Sequence, residues 1–104
     1  MKSYNKTLKI RVYILNWNGG EDLKDSIDSL QSNKYENFSI TIIDNNSSDN
    51  SLHNLSNEID IVALDKNYGF SSGYNIGIKK SLIDNDEYIV LLNYDTIVEP
   101  DFIE

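Results

Sequence analysis

The chain has 104 residues, 39% hydrophobic and 11% aromatic, with a formal net charge of -8 and a pI near 4.4. That length supports one domain with a real core and leaves little for a second lobe. The charge repels nucleic acid and anionic membranes, and the lysines, scattered singly or in the pair Lys79-Lys80, form no basic patch to reverse this.

In chain order, the apolar, β-branched run IRVYIL at residues 10–15 predicts a buried strand. It stops at the polar loop Asn16-Trp17-Asn18-Gly19-Gly20. From Glu21 to Ser32, Leu23, Ile27 and Leu30 recur at helical spacing, with acids in the first turn. Residues 39–43 (SITII) read as a second strand ending at Asp44, after which Ser48 or Asp49 is placed to cap a short helix carrying Leu52 and Leu55. IDIVAL at 59–64 is the third strand, followed by the loop Asp65-Lys66-Asn67-Tyr68, a helix from about Gly69 to Ile83, and a fourth strand at 87–92. Pro100 is placed to open a further helix. The order β-α-β-α-β-α-β implies an α/β fold: a Rossmann-like, doubly wound parallel sheet in three α/β/α layers.

The chain has no cysteine, which excludes disulfides, thiolate nucleophiles and zinc–thiolate sites and favours a cytoplasmic setting. The N-terminal MKSYNKTLKI lacks the apolar stretch of a secretory signal, and no run approaches membrane-spanning length. Glycosylation-type triplets at Asn5, Asn37, Asn45, Asn46 and Asn54 are read as accidents of an Asn- and Ser-rich composition.

Two carboxylates stand out because each lies where a buried strand runs out into a loop, the end at which open α/β sheets bind ligands. They are Asp44, followed by Asn45, Asn46, Ser47, Ser48 and Asp49, and Asp95, in Asn93-Tyr94-Asp95. Each has a plainer reading as a turn or cap residue. Gly69, Gly73 and Gly77 line one helical face, either for tight packing on the sheet or for close approach of a ligand at the N-terminal end. Asp84, Asp86 and Glu87 read as a solvated loop, and His53 as a solvent-facing side chain without a role. The dinucleotide fingerprint and the phosphate-binding lysine loop are absent, and a receiver domain would want acids where Asn16 and Asn18 stand. An acidic chain that binds a diphosphate needs a cation to mediate.

Taken jointly, LNWN, IIDNNSSDNS, KNYGFSSGYNIGI and VLLNYDTIVEPDF resemble the family 2 glycosyltransferases of the GT-A fold. The likeness is strongest to the rhamnosyltransferase-like branch, whose metal motif is Asn-x-Asp in place of Asp-x-Asp. It covers the chain from about residue 9. The resemblance implies that Asn16 and Trp17 lie beside the nucleoside and that Asp44, with Asn46, accepts from base or ribose. Asn67, Gly69 and Asn75 would line the nucleotide pocket. Asn93 would sit at the diphosphate, and Asp95 would coordinate Mg²⁺ or Mn²⁺. Tyr74 stands where many relatives carry an arginine, and Asn93 removes one charge from the commoner metal motif.

It further implies an inverting, metal-dependent transfer from a UDP- or dTDP-sugar to a glycan or lipid-linked acceptor, in polysaccharide biosynthesis. The setting would be cytoplasmic, at the inner membrane face for a full-length enzyme. The acceptor-binding half and catalytic base would lie beyond Glu104, so these residues would form one truncated, donor-binding domain, nearly inactive alone. With later segments missing, the fourth strand would be an exposed edge, and homodimerisation is expected. The alternatives are a stand-alone nucleotide-binding or receiver-like regulatory module, or a structural fragment that binds neither.

Overall fold

The computed structural model describes residues 9–34, 37–53, 55–86 and 88–100. Its elements are β1 (Ile10–Asn16), α1 (Gly20–Gln31), β2 (Phe38–Asp44), β3 (Asp60–Ala63), α2 (Phe70–Asp84) and β4 (Tyr88–Asn93). The four strands form one parallel sheet in the order β3-β2-β1-β4. Strand β1 is central and every one of its residues is buried, which explains why its sequence runs apolar without alternation.

Strand parity sorts the core into two layers. Val12 and Ile14, with Ile40 and Ile42 of β2 and Leu92 of β4, meet Leu23, Ile27 and Leu30 of α1. Tyr13 and Leu15, with Ile43, face the other helix and pack with Tyr74. Val12, Tyr13, Ile14, Leu23, Leu30, Ile42 and Ile43 are all fully buried. Each such side chain contributes about 1.5–3 kcal/mol. Helix α2 approaches so closely that a Cβ on Gly73 would lie 2.5 Å from Leu15 Cδ1, and one on Gly77 would lie 2.8 Å from Ile43 Cδ1. Packing therefore accounts for two of the three aligned glycines.

Two sequence expectations are corrected. Among the described residues no helix forms between β2 and β3; residues 51–53 make a turn. Side-chain acceptors instead tie this segment to itself and to the loop after β1. The Ser47 amide donates to Asp44 Oδ2, those of Ser48 and Asp49 to Asn18 Oδ1, and that of Ser51 to Asp49 Oδ1. The Asp49–Ser51 contact is the one an N-cap makes, but here it opens a single turn, in which the His53 amide donates to the Asn50 carbonyl. The observed order is thus β-α-β-β-α-β.

Asp84 and Asp86 do not form a solvated loop. Asn85, at φ 60°, ends α2 in the left-handed conformation, and the chain turns inward. The Asp86 side chain becomes fully buried, 3.6 Å from Arg11 Nε and 3.5 Å from Lys9 Nζ. Arg11, inside the apolar run of β1, also donates to Thr41 Oγ1 at 2.8 Å and pairs with Asp84 and Asp60. Glu87 and the segment after Pro100, where a further helix was expected, lie outside the described residues.

Candidate nucleotide site

The sheet order reverses direction between β1 and β4: the chain steps from β1 to β2 to β3, then returns to the far side of β1. Open α/β sheets bind ligands at such a switch point, outside the carboxyl ends of the strands. Here those ends carry Asn16, Asp44 and Asn93, and the N-terminus of α2 opens on the same side.

Strand register explains the first pair. Asn16 sits opposite Asp44 across β1 and β2, so both side chains leave the same face of the sheet. Asn16 Nδ2 donates to Asp44 Oδ1 at 2.8 Å, and also reaches the Ser47 and Ser51 hydroxyls at 3.1 and 3.0 Å. Asp44 is only 3% exposed. Its carboxylate also accepts from the Ser47 hydroxyl on Oδ1 and the Ser47 amide on Oδ2. No cation pairs with it among the described residues. Asn18, at φ 52°, and Asp49 finish tying the two loops. The Asn18 amide donates to Ser47 Oγ, and the Gly20 amide donates to Asp49 Oδ2. The hydrogen bond from the Ser51 hydroxyl holds the exposed Asp49 carboxyl below its usual range.

The second pair is on the other side of β1. Asn93 Nδ2 donates to Asp95 Oδ1 at 3.1 Å. The Asn93 side-chain oxygen Oδ1 and Asp95 Oδ2 take no hydrogen bond from the described residues, and Asp95 is exposed. Among those residues, no three His, Asp or Glu side chains converge on a metal position. Two hard oxygens at one strand end nonetheless fit Mg²⁺ or Mn²⁺, since such ions take one or two protein ligands and complete their shell with phosphates and water.

The remaining expected residues lie at the same end. Trp17 is 49% exposed at the tip of β1. Asn46, at φ 63°, is an exposed turn residue. Asn67 Oδ1 accepts from the Gly69 amide, and Gly69, at φ 85°, has open space around its missing Cβ. Its glycine character is therefore conformational. Asn75 is exposed on α2. Tyr74 is almost buried, its ring edge-on to Phe70 at 4.8 Å. Burial, and secondarily the Asp95 charge, raise its hydroxyl pKa above the ordinary value.

Sequence reasoning missed Asn45. Buried at 3% exposure, it accepts from the Tyr68 amide and donates to the Gly69 carbonyl, and so fixes the start of α2 against β2. The signal was present in its place one residue beyond Asp44, where strand alternation turns it toward α2.

Fold and site together define a Rossmann-like α/β domain of the GT-A kind, with its polar groups gathered at the carboxyl ends of the strands. The chain belongs to glycosyltransferase family 2: the model described as "Glycosyl transferase family 2" matches residues 11–104. Poly-beta-1,6-N-acetyl-D-glucosamine synthase of Staphylococcus aureus is 33% identical over 90 residues, covering 82% of this chain and 21% of that protein. The chain thus spans about a fifth of the length of that relative. Among solved structures, S. aureus TarS 1-349 superposes with a TM-score of 0.78 at 17% identity, over 89% of this chain and 29% of that one. TarS 1-349 in complex with UDP-GlcNAc gives 0.76 at the same 17% identity, over 89% and 28%. The mannosyltransferase PcManGT from Pyrobaculum calidifontis, in complex with GDP-Man and Mn²⁺, gives 0.68 at 12% identity, over 85% and 28%.

Proposed function

We propose that this chain is the donor-binding portion of an inverting, metal-dependent glycosyltransferase that moves a sugar from a nucleoside-diphosphate carrier to an acceptor hydroxyl in polysaccharide synthesis. The observation that carries this reading is the pair of amide–carboxylate couples, Asn16–Asp44 and Asn93–Asp95, on either side of the β1–β4 switch point. Asp44 is the acceptor for a nucleoside donor group. Trp17, Asn46, Asn67, Gly69 and Asn75 surround the nucleotide, and UDP or dTDP is the carrier. The polysaccharide synthase relative and the UDP-GlcNAc complex of TarS support both the chemistry and the carrier class.

Asp95 and the Asn93 side-chain oxygen would hold Mg²⁺ or Mn²⁺. When bound, such an ion supplies Lewis-acid stabilisation of charge on the departing diphosphate. The chain's own contribution is to bind and orient: α2 turns its N-terminal end to the site, and Tyr74 offers a neutral hydroxyl beside Asp95. The carboxylate base that deprotonates the acceptor is assigned to residues outside these 104, and the setting to the cytoplasmic side of the membrane. The open edge of β4 is assigned to pairing with a second copy when nothing else covers it.

The test is thermal denaturation with UDP and dTDP, each with Mn²⁺ or with chelator. A melting temperature raised by nucleotide, and raised further by Mn²⁺, is the expected result. No response to either nucleotide would sink the donor-binding reading in favour of a module without transferase function.

A further inference from the structure

We infer that Asn16 is a positioning residue that acts through Asp44 and does not itself touch the donor; the inference rests on Asp44 being the nucleoside acceptor. Asn16 is 0% exposed, so no ligand at the strand ends reaches it without rearrangement. Its amide nitrogen is committed to Asp44 Oδ1 at 2.8 Å and to the Ser47 and Ser51 hydroxyls. Its side-chain oxygen Oδ1, by contrast, is buried with no partner among the described residues. Buried acceptors are nearly always satisfied, and an unmet one is destabilising. The fold keeps this arrangement because the opposite amide orientation would set two acceptor oxygens against each other. Gly19 closes over the same oxygen so tightly that any Cβ there would overlap Asn16 Oδ1.

The consequence is a defined carboxylate. With two donors on Oδ1 and one on Oδ2, the remaining acceptor capacity of Asp44 lies on Oδ2. Among the described residues no cation assists, and neutral donors hold the charge in place. Asp49, reached through Ser51, is the one other titratable side chain in this hydrogen-bonded set. An acid at position 16 would put two carboxylates in contact, and such pairs share a proton because both cannot ionise.

The experiment is calorimetric titration of UDP with Mn²⁺, and of pyrophosphate with Mn²⁺, into wild type, Asn16→Ala and Asn16→Asp. It is run at about pH 5.5 and about pH 8, values on either side of neutrality chosen to change carboxyl sharing. Asn16→Ala should weaken UDP roughly tenfold at both pH values, the scale of one hydrogen bond to a charged group, and leave pyrophosphate unchanged. Asn16→Asp should bind UDP close to wild type at the lower pH, where the shared proton replaces the amide donor. Relative to wild type it should lose affinity at the higher pH. Wild-type UDP affinity in both variants overturns the inference. So does loss of UDP and pyrophosphate together, unfolding included, because that marks a purely structural role. Failure of UDP to bind the wild type would instead sink the donor-binding reading, and this inference with it.

Discussion

The two ends of this sheet hold their charges in opposite ways. At the amino end, Arg11, Lys9 and Lys80 face Asp60, Asp84 and Asp86 in a set of ion pairs that joins β1, β3, α2 and the loop before β4. At the carboxyl end, Asp44 is buried like the Asp86 side chain yet has only amides and hydroxyls for company among the described residues, and Asp95 is exposed with one amide donor. Charges that serve the fold are neutralised within it, because a buried ion without a partner costs several kcal/mol. Charges left uncompensated at a ligand end keep capacity for something the chain does not supply. In the function proposed above, that something is a donor group for Asp44 and a cation for Asp95.

The comparison breaks most visibly at Arg11. Arg11→Ala leaves the buried Asp86 carboxylate without its main counter-ion and should cost about 3–5 kcal/mol by urea denaturation. Adding Asp86→Asn should recover part of that loss. No penalty for Arg11→Ala would mean that the amino-end network does not anchor the sheet. The carboxyl end should behave the other way, with binding affected more than folding.

At Asp95 the affected quantity is binding. A ligand at about a hundred times its Kd stabilises by about 2.7 kcal/mol. Asp95→Ala should erase the part of the UDP-induced rise that depends on Mn²⁺, leaving identical melting curves with metal and chelator. Stability without ligand should stay within about 0.5 kcal/mol, as for an exposed site. Asp44→Asn should weaken UDP by about 1–3 kcal/mol, the scale of a charged hydrogen bond left unmade, with Mn²⁺–pyrophosphate binding intact. It also sets an amide N–H against that of Ser47, so folding should weaken by about 1 kcal/mol.

Two smaller effects sharpen the contrast. If β4 pairs with a second copy, light scattering across a dilution series should show a dimer that Leu91→Lys disperses. Leu91 is 38% exposed on the edge strand, whereas Val90 packs against the α1-side core and would report on folding instead. A monomer at every concentration removes the edge-pairing proposal. The smallest effect concerns Lys80 and Asp84, 2.9 Å apart on α2. The Lys80 hydrogen bond holds the Asp84 carboxyl below its usual range. Its contribution is therefore present above the ordinary carboxylate pKa and fades as pH falls through the lower folded value. Lys80→Ala should flatten that acid limb in pH-dependent melting and leave neutral-pH nucleotide binding alone.

The strands, both helices and the polar carboxyl end of the sheet were legible in the chain because they rest on local signals. Continuous apolar runs mark buried parallel strands, Leu23, Ile27 and Leu30 mark a helical face, and Asp44 and Asp95 mark strand ends. The absent helix after β2 was misread because Asp49 takes the Ser51 amide as an N-cap would, and such a residue closes a single turn as readily as it opens a helix. Only the tertiary structure decided where Arg11 and Asp86 go. Two residues 75 positions apart in sequence meet because β4 returns beside β1, which no local pattern encodes. The same holds for Asn16: the family resemblance set it beside a nucleoside, but register across β1 and β2 set its amide on Asp44. Local propensity chose the elements, whereas the pairing of distant strands chose which polar groups are compensated and which remain free to bind.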